Sequence, residues 1–317
     1  MITKTFRLFI SSTFSDFIAE REALQTRVFP ELEEFCAQRG ARFQAIDLRW
    51  GITEEAQQEH DTLRICLEDV RRCQELSPRP NFAVLLGDRY GWEPVPARIP
   101  LSHWERLKMA ADLHGWQVIR AQYQLDKNAV PPVYCLRRRE GNWALDLKRE
   151  AGLLRVLRHA ARDFEGDDQL PYFASATHQE IALGALATQD DEGRSLHPEE
   201  HVQVYVRHIE GLPGDASARA FLDWDANSQT PVPGAQERLS ALKTRLRRQL
   251  PGKVQDIQAR WGGVGTDASH IEAFCAQFLA DQKATIEREL VTREKLEGGQ
   301  SGTRSTTHSQ RNVHATL

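Results

Sequence analysis

Three small hydroxyl residues stand where a protein chain could hold a phosphate. Ser11, Ser12 and Thr13 directly follow the apolar run Phe6–Ile10 and directly precede a segment with helical periodicity. Where a strand ends and a helix begins, backbone N–H groups and the positive end of the helix dipole converge. The three residues could therefore bind a diphosphate, or they could only cap the helix, and the sequence leaves both roles open.

A second loop offers groups that suit a nucleotide. Arg49 and Trp50 precede Gly51, directly after the apolar run Phe43–Leu48. A guanidinium can pair with a phosphate, and an indole ring can stack on a flat cation or base. The alternative is structural: Arg49 would pair with one of the glutamates that follow it, and Trp50 would pack beneath that pair.

A third loop of the same kind follows the apolar run Phe82–Leu86. Its two glycines, at positions 87 and 91, allow the backbone to turn sharply. Its larger side chains could line a ligand pocket or pack against the segment that comes next. These side chains are Asp88, Arg89, Tyr90 and Trp92.

The three loops share one position in the predicted architecture. Apolar runs of strand length alternate with helical patterns, which is typical of an α/β fold with a parallel sheet and helices on both faces. Val202–Val206 is the fourth predicted strand, and the predicted order is 2-1-3-4, as in flavodoxin. Such sheets bind ligands at the carboxyl ends of their strands, so we expect the three loops to meet in space.

Four parts of the chain differ in pattern. Residues 5–210 are predicted to form the sheet domain, with residues 93 to about 170 as an insertion on its rim. Residues 211–297 are predicted to form a helical extension. Residues 298–317 are rich in Gly, Ser, Thr, Gln and His, which cannot build a core, so we expect a disordered tail.

Two segments carry more specific predictions. The extension has apolar stripes over Leu239–Leu250 and Ile271–Leu279, which should either pack within the chain or form an interface with a partner. Inside the insertion, Val133–Arg137 and Trp143–Leu147 flank a Glu-Gly-Asn sequence that is typical of a turn. We therefore expect a hairpin there.

Composition excludes several classes of protein. The 317 residues are 40% hydrophobic and 27% charged, as in ordinary globular proteins. The formal net charge of −4 argues against a nucleic-acid partner. No apolar run is long enough to span a membrane and the first residues lack a signal-peptide core, so cytoplasmic residence is expected. Five scattered cysteines, none in a CxxC motif, indicate buried thiols rather than disulfides or a metal site.

The strand-end loops resemble those of the DUF4062 family. The matching motifs are Phe9–Asp16, Asp47–Glu55 and Leu85–Trp92, and the second of these is close to diagnostic. The resemblance covers roughly residues 5–209. The N-terminal regions of nephrocystin-3 and of the telomerase-associated vault protein are examples of this family.

The resemblance implies a fold and a context. The family is similar in fold to TIR domains and typically occupies the N-terminus of large NACHT or STAND-type proteins, so it implies an effector or signalling module in such a protein, including in defence. This chain has no Gly-x-x-x-x-Gly-Lys-Ser/Thr loop, so it should not hydrolyse ATP itself. We expect a standalone or truncated module that self-associates or works with a NACHT-type partner.

The same resemblance points to Glu180 as a catalytic carboxylate. Some TIR domains cleave NAD with a glutamate on the helix that follows the third strand, and Glu180 lies on the helix that resumes after the insertion. A carboxylate near the ribose would stabilise the oxocarbenium-like cation that forms as the nicotinamide–ribose bond breaks. NAD would then be a substrate, and no cofactor is expected. The alternative is that Thr177 and Glu180 form a capping box.

Two classes of function therefore stay open. One is an NAD-cleaving enzyme that is activated by assembly, and the other is a non-catalytic adaptor that oligomerises or recruits partners. A nucleoside deoxyribosyltransferase-like activity is a third hypothesis, which depends on fold analogy alone. A Glu180 carboxylate within about 12 Å of the loops at Ser12 and Trp50 would favour the enzyme, and a glutamate that closes its own helix would favour the adaptor.

Overall fold

The structure is a computed structural model that describes residues 4–48, 60–139, 143–190, 192–225 and 228–304. Its centre is a sheet of five parallel strands in the order 2-1-3-4-5. These strands are Thr5–Ser12 (β1), Arg42–Ile46 (β2), Phe82–Leu86 (β3), Val202–Glu210 (β4) and Val254–Arg260 (β5).

Eleven α-helices are described around this sheet and in the insertion. Two of them run on into a π-helical turn, at Leu24–Val28 and Ala182–Leu186. The helices are Ile18–Ala23 (α1), Phe29–Ala37 (α2), Thr62–Leu76 (α3), Leu101–Ala110 (α4), Leu113–Gln122 (α5), Trp143–Ala160 (α6), Leu170–Phe173 (α7), Ala176–Ile181 (α8), Pro198–His201 (α9), Ala235–Gln249 (α10) and Ile271–Arg304 (α11).

The central strands confirm the predicted flavodoxin-like order. β3 is buried at all five positions because it lies in the middle of the sheet, between β1 and β4, with helices on both faces. β5, which pairs with β4 at one edge of the sheet, was not predicted from the sequence. Its residues are mostly polar because an edge strand keeps most of its side chains in or near solvent, so it lacks the apolar run that marks the other strands.

Both apolar stripes of the C-terminal region pack on the sheet. Leu239, Leu242 and Leu246 of α10 lie in the cluster beneath one face, together with side chains of α3 and α8. Phe274 and Phe278 of α11 lie in the cluster beneath the other face, which α1 and α2 also cover. The stripes are therefore covered by their own chain, and the first 16 residues of α11 belong to the packed core.

The insertion has a core of its own. Three short strands, Arg98–Pro100, Tyr123–Asp126 and Val133–Leu136, form an antiparallel sheet, and the ring of Trp104 stacks on that of Tyr134 at 3.6 Å. The predicted hairpin is wrong. Val133–Leu136 is a strand, but its partners are the two earlier strands, and the chain from Trp143 onward forms α6, whose apolar residues recur at helical spacing.

The predicted boundaries of the helical extension, residues 211–297, and of the tail, residues 298–317, stay predictions. The fifth strand lies beyond residue 210, and α11 runs to Arg304, while residues 305–317 of the predicted tail lie outside the described residues. Among the helices that the structure describes, none is both long enough and apolar enough to cross a membrane.

Candidate functional site

The three hydroxyl residues at the end of β1 are buried and engaged with the protein. The Ser11 hydroxyl donates to Oε2 of Glu180 at 2.6 Å. Ser12 donates to the Thr13 carbonyl at 2.7 Å, and Thr13 donates to Oδ1 of Asp16 at 2.5 Å. Thr13 and Asp16 thus close the first turn after the strand, while Ser11 connects the strand to a distant helix.

Glu180 does not cap its own helix. α8 begins after Ser175, whose hydroxyl accepts from the backbone N–H of His178 at 3.2 Å, so the capping-box interpretation of Thr177 and Glu180 is wrong. Glu180 sits one turn further along and is only 7% exposed. Its side chain reaches across to Ser11 instead, which places the carboxylate at the carboxyl end of β1.

The surroundings of Glu180 hold it near the midpoint of its titration at neutral pH. Burial raises the pKa of this carboxyl from 4.5 to about 7, because an apolar environment disfavours the charged form. Hydrogen bonds from Ser11 and from the Cys66 thiol, and the positive charge of Arg21, oppose that rise. A carboxyl group shared between two weak donors in a buried site is poised to gain or lose a proton.

Arg21 links the ends of the first two strands. Its guanidinium donates to the carbonyl of Ile10 at 2.8 Å and lies 3.0 Å from the carboxylate of Asp47. Both contacts are buried, so the start of the loop after β2 is fixed beside the end of β1. The predicted ligand residues of that loop, Arg49, Trp50 and Gly51, lie outside the described residues.

The loop after β3 meets the first loop. The carboxylate of Asp223 accepts from the backbone N–H groups of Tyr90 and Gly91, at 2.6 and 2.9 Å. Gly91 has φ +96°, and a Cβ there would lie 2.6 Å from Cγ2 of Thr13. Glycine adopts this φ readily and has no Cβ to collide with Thr13. Gly91 therefore lets the loop after β3 approach the loop after β1, as the sequence predicted.

The four larger side chains of this loop point to different surroundings. Arg89 donates to the Ser15 hydroxyl at 2.6 Å, and Asp88 lies 3.8 Å from the ammonium group of Lys243. The Tyr90 hydroxyl lies 2.8 Å from Nδ1 of His178. Trp92 is 48% exposed. Arg89 therefore joins the first loop, whereas Asp88 and Tyr90 contact α10 and α8.

A buried charge cluster, which was not predicted from the sequence, lies behind the first loop. The Arg207 guanidinium donates to the backbone carbonyl of Asp16 at 2.5 Å and to Oε1 of Glu20 at 2.7 Å, and its other nitrogen lies 3.2 Å from the Asp16 carboxylate. Oε1 of Glu20 also lies 2.8 Å from Nε2 of His270. One signal was present in the sequence: Arg207 directly follows the mostly apolar segment Val202–Val206, where a charge needs a buried partner.

The two carboxyl groups of the cluster titrate differently. Burial raises the pKa of Asp16 to about 6, even though Arg207 and the Thr13 hydroxyl favour its ionised form. Burial also acts on Glu20, but hydrogen bonds from His270 and Arg207 together outweigh it and hold the pKa of Glu20 below its ordinary value. Glu20 is thus the fixed anion of the cluster.

In the part of the chain that the structure describes, cavities near the candidate site do not open onto its central residues. Five cavities of about 250 to 680 Å³ are lined by residues that the structure describes, and none of the five has Ser11, Ser12, Thr13 or Glu180 in its wall. One of about 250 Å³ is lined by Trp92 and Gln179, the neighbour of Glu180. Another, of about 400 Å³, is lined by Tyr90 and His178.

Comparisons with known proteins agree with the motifs. The family model "Domain of unknown function (DUF4062)" matches residues 7–111. NACHT domain- and WD repeat-containing protein 1 of Mus musculus is 32% identical over 251 residues, which cover 76% of this chain and 16% of that protein. Telomerase protein component 1 of Rattus norvegicus is 40% identical over 104 residues, 32% of this chain and 4% of that protein.

Comparison with solved structures gives no further information on the fold. A solved structure of the Vlm2 thioesterase domain covers 86% of this chain and 92% of that chain at 11% identity, with a TM-score of 0.22, which is too low to indicate a shared fold. The chain spans about one-sixth or less of the length of the curated relatives named above. Residues 7–111 of this chain therefore carry a DUF4062 domain.

Proposed function

We propose that this chain is a TIR-like effector module of a NACHT-type signalling protein, and that on assembly it cleaves the nicotinamide–ribose bond of NAD with Glu180. One observation carries the proposal: the buried Glu180 carboxyl is held at the carboxyl end of β1 by the Ser11 hydroxyl, 2.6 Å away. That end of a parallel sheet is where such folds bind nucleotides.

The chemistry requires an oriented negative charge. As the bond to nicotinamide lengthens, positive charge develops on the ribose ring, and a carboxylate beside the ring lowers the energy of that transition state. Ser11 and Cys66 supply hydrogen bonds that orient the Glu180 carboxyl and favour its ionised form. Burial strengthens its electrostatic effect on a bound substrate, since little water would screen it.

A second candidate is the non-catalytic adaptor, and one observation favours it. The hydroxyl groups of Ser11, Ser12 and Thr13 already donate to protein acceptors, and none of the five cavities opens onto them or onto Glu180 within the described part of the chain. In the adaptor, Glu180 would serve only to join α8 to β1.

The test compares nicotinamide release from NAD by the whole chain and by two variants. Glu180→Gln keeps the shape and the hydrogen bond to Ser11 but removes the charge, so release should fall by about 10²–10³. Glu192→Gln, which alters an exposed carboxylate in the loop after the α8 segment, should release nicotinamide at the unchanged rate. Each protein is assayed in dilute solution and again concentrated on a resin, which imposes assembly.

The outcomes separate the two candidates. Release that depends on Glu180 but not on Glu192 supports the enzyme. Equal release by all three proteins would remove Glu180 from the chemistry. No release by the unmodified chain in either format would overturn the enzyme and leave the adaptor.

A further inference from the structure

A cavity lies on the other side of α8 from Glu180. His178 and Glu180 are two positions apart on this helix, which places their side chains about 200° apart around its axis. Glu180 faces β1, whereas His178 lines a cavity of about 400 Å³ between α8, α10 and the segment that precedes α8. That volume is in the range of small-molecule binding sites.

The hydrogen bond between His178 and Tyr90 uses one ring nitrogen of the histidine. The Tyr90 hydroxyl lies 2.8 Å from Nδ1 of His178, where it can donate, so Nε2 is the ring nitrogen that can meet a ligand. Burial, with a smaller effect from the charge of Arg245, lowers the pKa of His178 to about 4, so the ring is neutral at pH 7. A neutral ring that accepts at Nδ1 carries its hydrogen on Nε2.

Two side chains in the wall of this cavity have nitrogen atoms without a hydrogen bond to the described part of the protein. Within the described ranges, no hydrogen bond to Nε2 of His178 is found, and Arg245 uses only its Nε, which donates to Gln249 at 3.0 Å. The other guanidinium in the wall, Arg238, is paired with Glu93 at 2.8 Å. The wall of the cavity thus offers the guanidinium group of Arg245 and Nε2 of His178 to a ligand. The exposed carboxylate of Asp167 lies in the same wall.

The remaining wall is apolar, with Phe173 and Leu242 on opposite elements. We propose that this cavity binds a small organic anion whose carboxylate or phosphate oxygens accept from Arg245 and His178 and whose flat apolar body packs between Phe173 and Leu242. The site is separate from the Glu180 site, because the two face away from each other across α8.

The test is calorimetric titration of the whole chain at pH 7.5 with benzoate and with phenyl phosphate. Inorganic phosphate tests the charge without the apolar body, and benzyl alcohol tests the body without the charge. At least one of the two aromatic anions should bind about tenfold or more tightly than either control probe, since both halves of the site must be filled. Tighter binding of benzoate would identify a carboxylate ligand, and tighter binding of phenyl phosphate would identify a phosphate monoester.

Variants locate the binding. Arg245→Gln should weaken it by about tenfold or more, and His178→Phe, which keeps an aromatic ring but no N–H donor, should also weaken it. Arg248→Gln is the matched control, because Arg248 lies one turn along α10 and is absent from the wall of this cavity. Glu180→Gln should bind the anion unchanged, whatever its effect on NAD.

Three results would overturn the proposal. They are the absence of binding by both aromatic anions at millimolar concentration, an equal loss in the Arg245 and Arg248 variants, and a loss of binding in Glu180→Gln. A melting curve for each variant shows that it is folded, so a weakened affinity reports on the site.

Discussion

Oε2 of Glu180 and Oγ of Ser11 lie 2.6 Å apart, although 169 positions separate them in the chain. The pair joins the helix that follows the insertion to the first strand of the sheet. It therefore spans the whole insertion, and it sets the position of the one carboxyl group to which the resemblance assigns chemistry.

The pH dependence of nicotinamide release should report on this pair. If the ionised form of Glu180 is active, the rate should rise with pH and level off above about 7, the pKa of the buried carboxyl. Ser11→Ala removes a hydrogen bond that favours the ionised form, so the midpoint should move to higher pH. Ser12→Ala is the control, because Ser12 donates to a backbone carbonyl. A midpoint that moves equally in both variants would contradict the assignment.

Stability should fall with rising pH because of Glu180. Its pKa is about 7 in the folded chain and near 4.5 in the unfolded chain, so folding favours the protonated form. The contribution is full below pH 4.5 and is lost as the pH rises through 7, by about 3 kcal/mol in total. Glu180→Gln should therefore match the unmodified chain at pH 4.5 and exceed it at pH 8. Urea unfolding at the two values measures this, and an equal difference at both would contradict it.

Arg207→Met should be strongly destabilising. The substitution leaves Asp16 and Glu20 as buried carboxyl groups without their cation, which costs about 3–5 kcal/mol in the free energy of unfolding. Arg247→Met is the matched control, because Arg247 pairs with Asp256 at the surface and its loss should cost under about 1 kcal/mol. The two values come from urea denaturation at pH 7. Similar losses in the two variants would show that the cluster is not essential to the fold.

Gly91→Ala should destabilise the chain more than Gly40→Ala. Both glycines have positive φ, +96° and +68°, which costs about 1 kcal/mol for alanine. At Gly40 nothing lies within 4 Å of the added Cβ, whereas at Gly91 it would lie 2.6 Å from Cγ2 of Thr13. Melting temperatures of the two variants give the comparison, and a drop no larger for Gly91→Ala would show that the two loops can separate without cost.

The sequence predicted the interior of the fold well and its margins poorly. Phe82–Leu86 is an unbroken apolar run because both faces of a central strand are covered, and that pattern is readable in one segment alone. Val254–Arg260 is polar because it lies at an edge, and only its pairing with β4 makes it a strand. Trp143–Leu147 alternates like a strand, but it is the first turn and a half of an 18-residue helix.

The candidate site, too, could be predicted from the sequence only in part. Local sequence placed Ser11 at a strand end and Glu180 on a helix, but only the folded chain shows that they touch. The choice of Ser175 over Thr177 as the cap also depends on the tertiary position of the helix, since both residues are competent caps. The cluster of Arg207 and Glu20 joins residues 187 positions apart, and no local pattern encodes such a pair.

The position of β3 has a consequence for how fragments of this protein should be cut. The family match ends at residue 111, which retains β1, β2 and β3 but omits the strand that borders β3 on its other side. A fragment cut there would turn the most apolar strand of the sheet into an open edge, and such edges aggregate. It would also lack Arg207, Glu180 and α11. The region that the family model matches is thus smaller than the smallest folding unit, which has to include β4 and the helix that packs behind it.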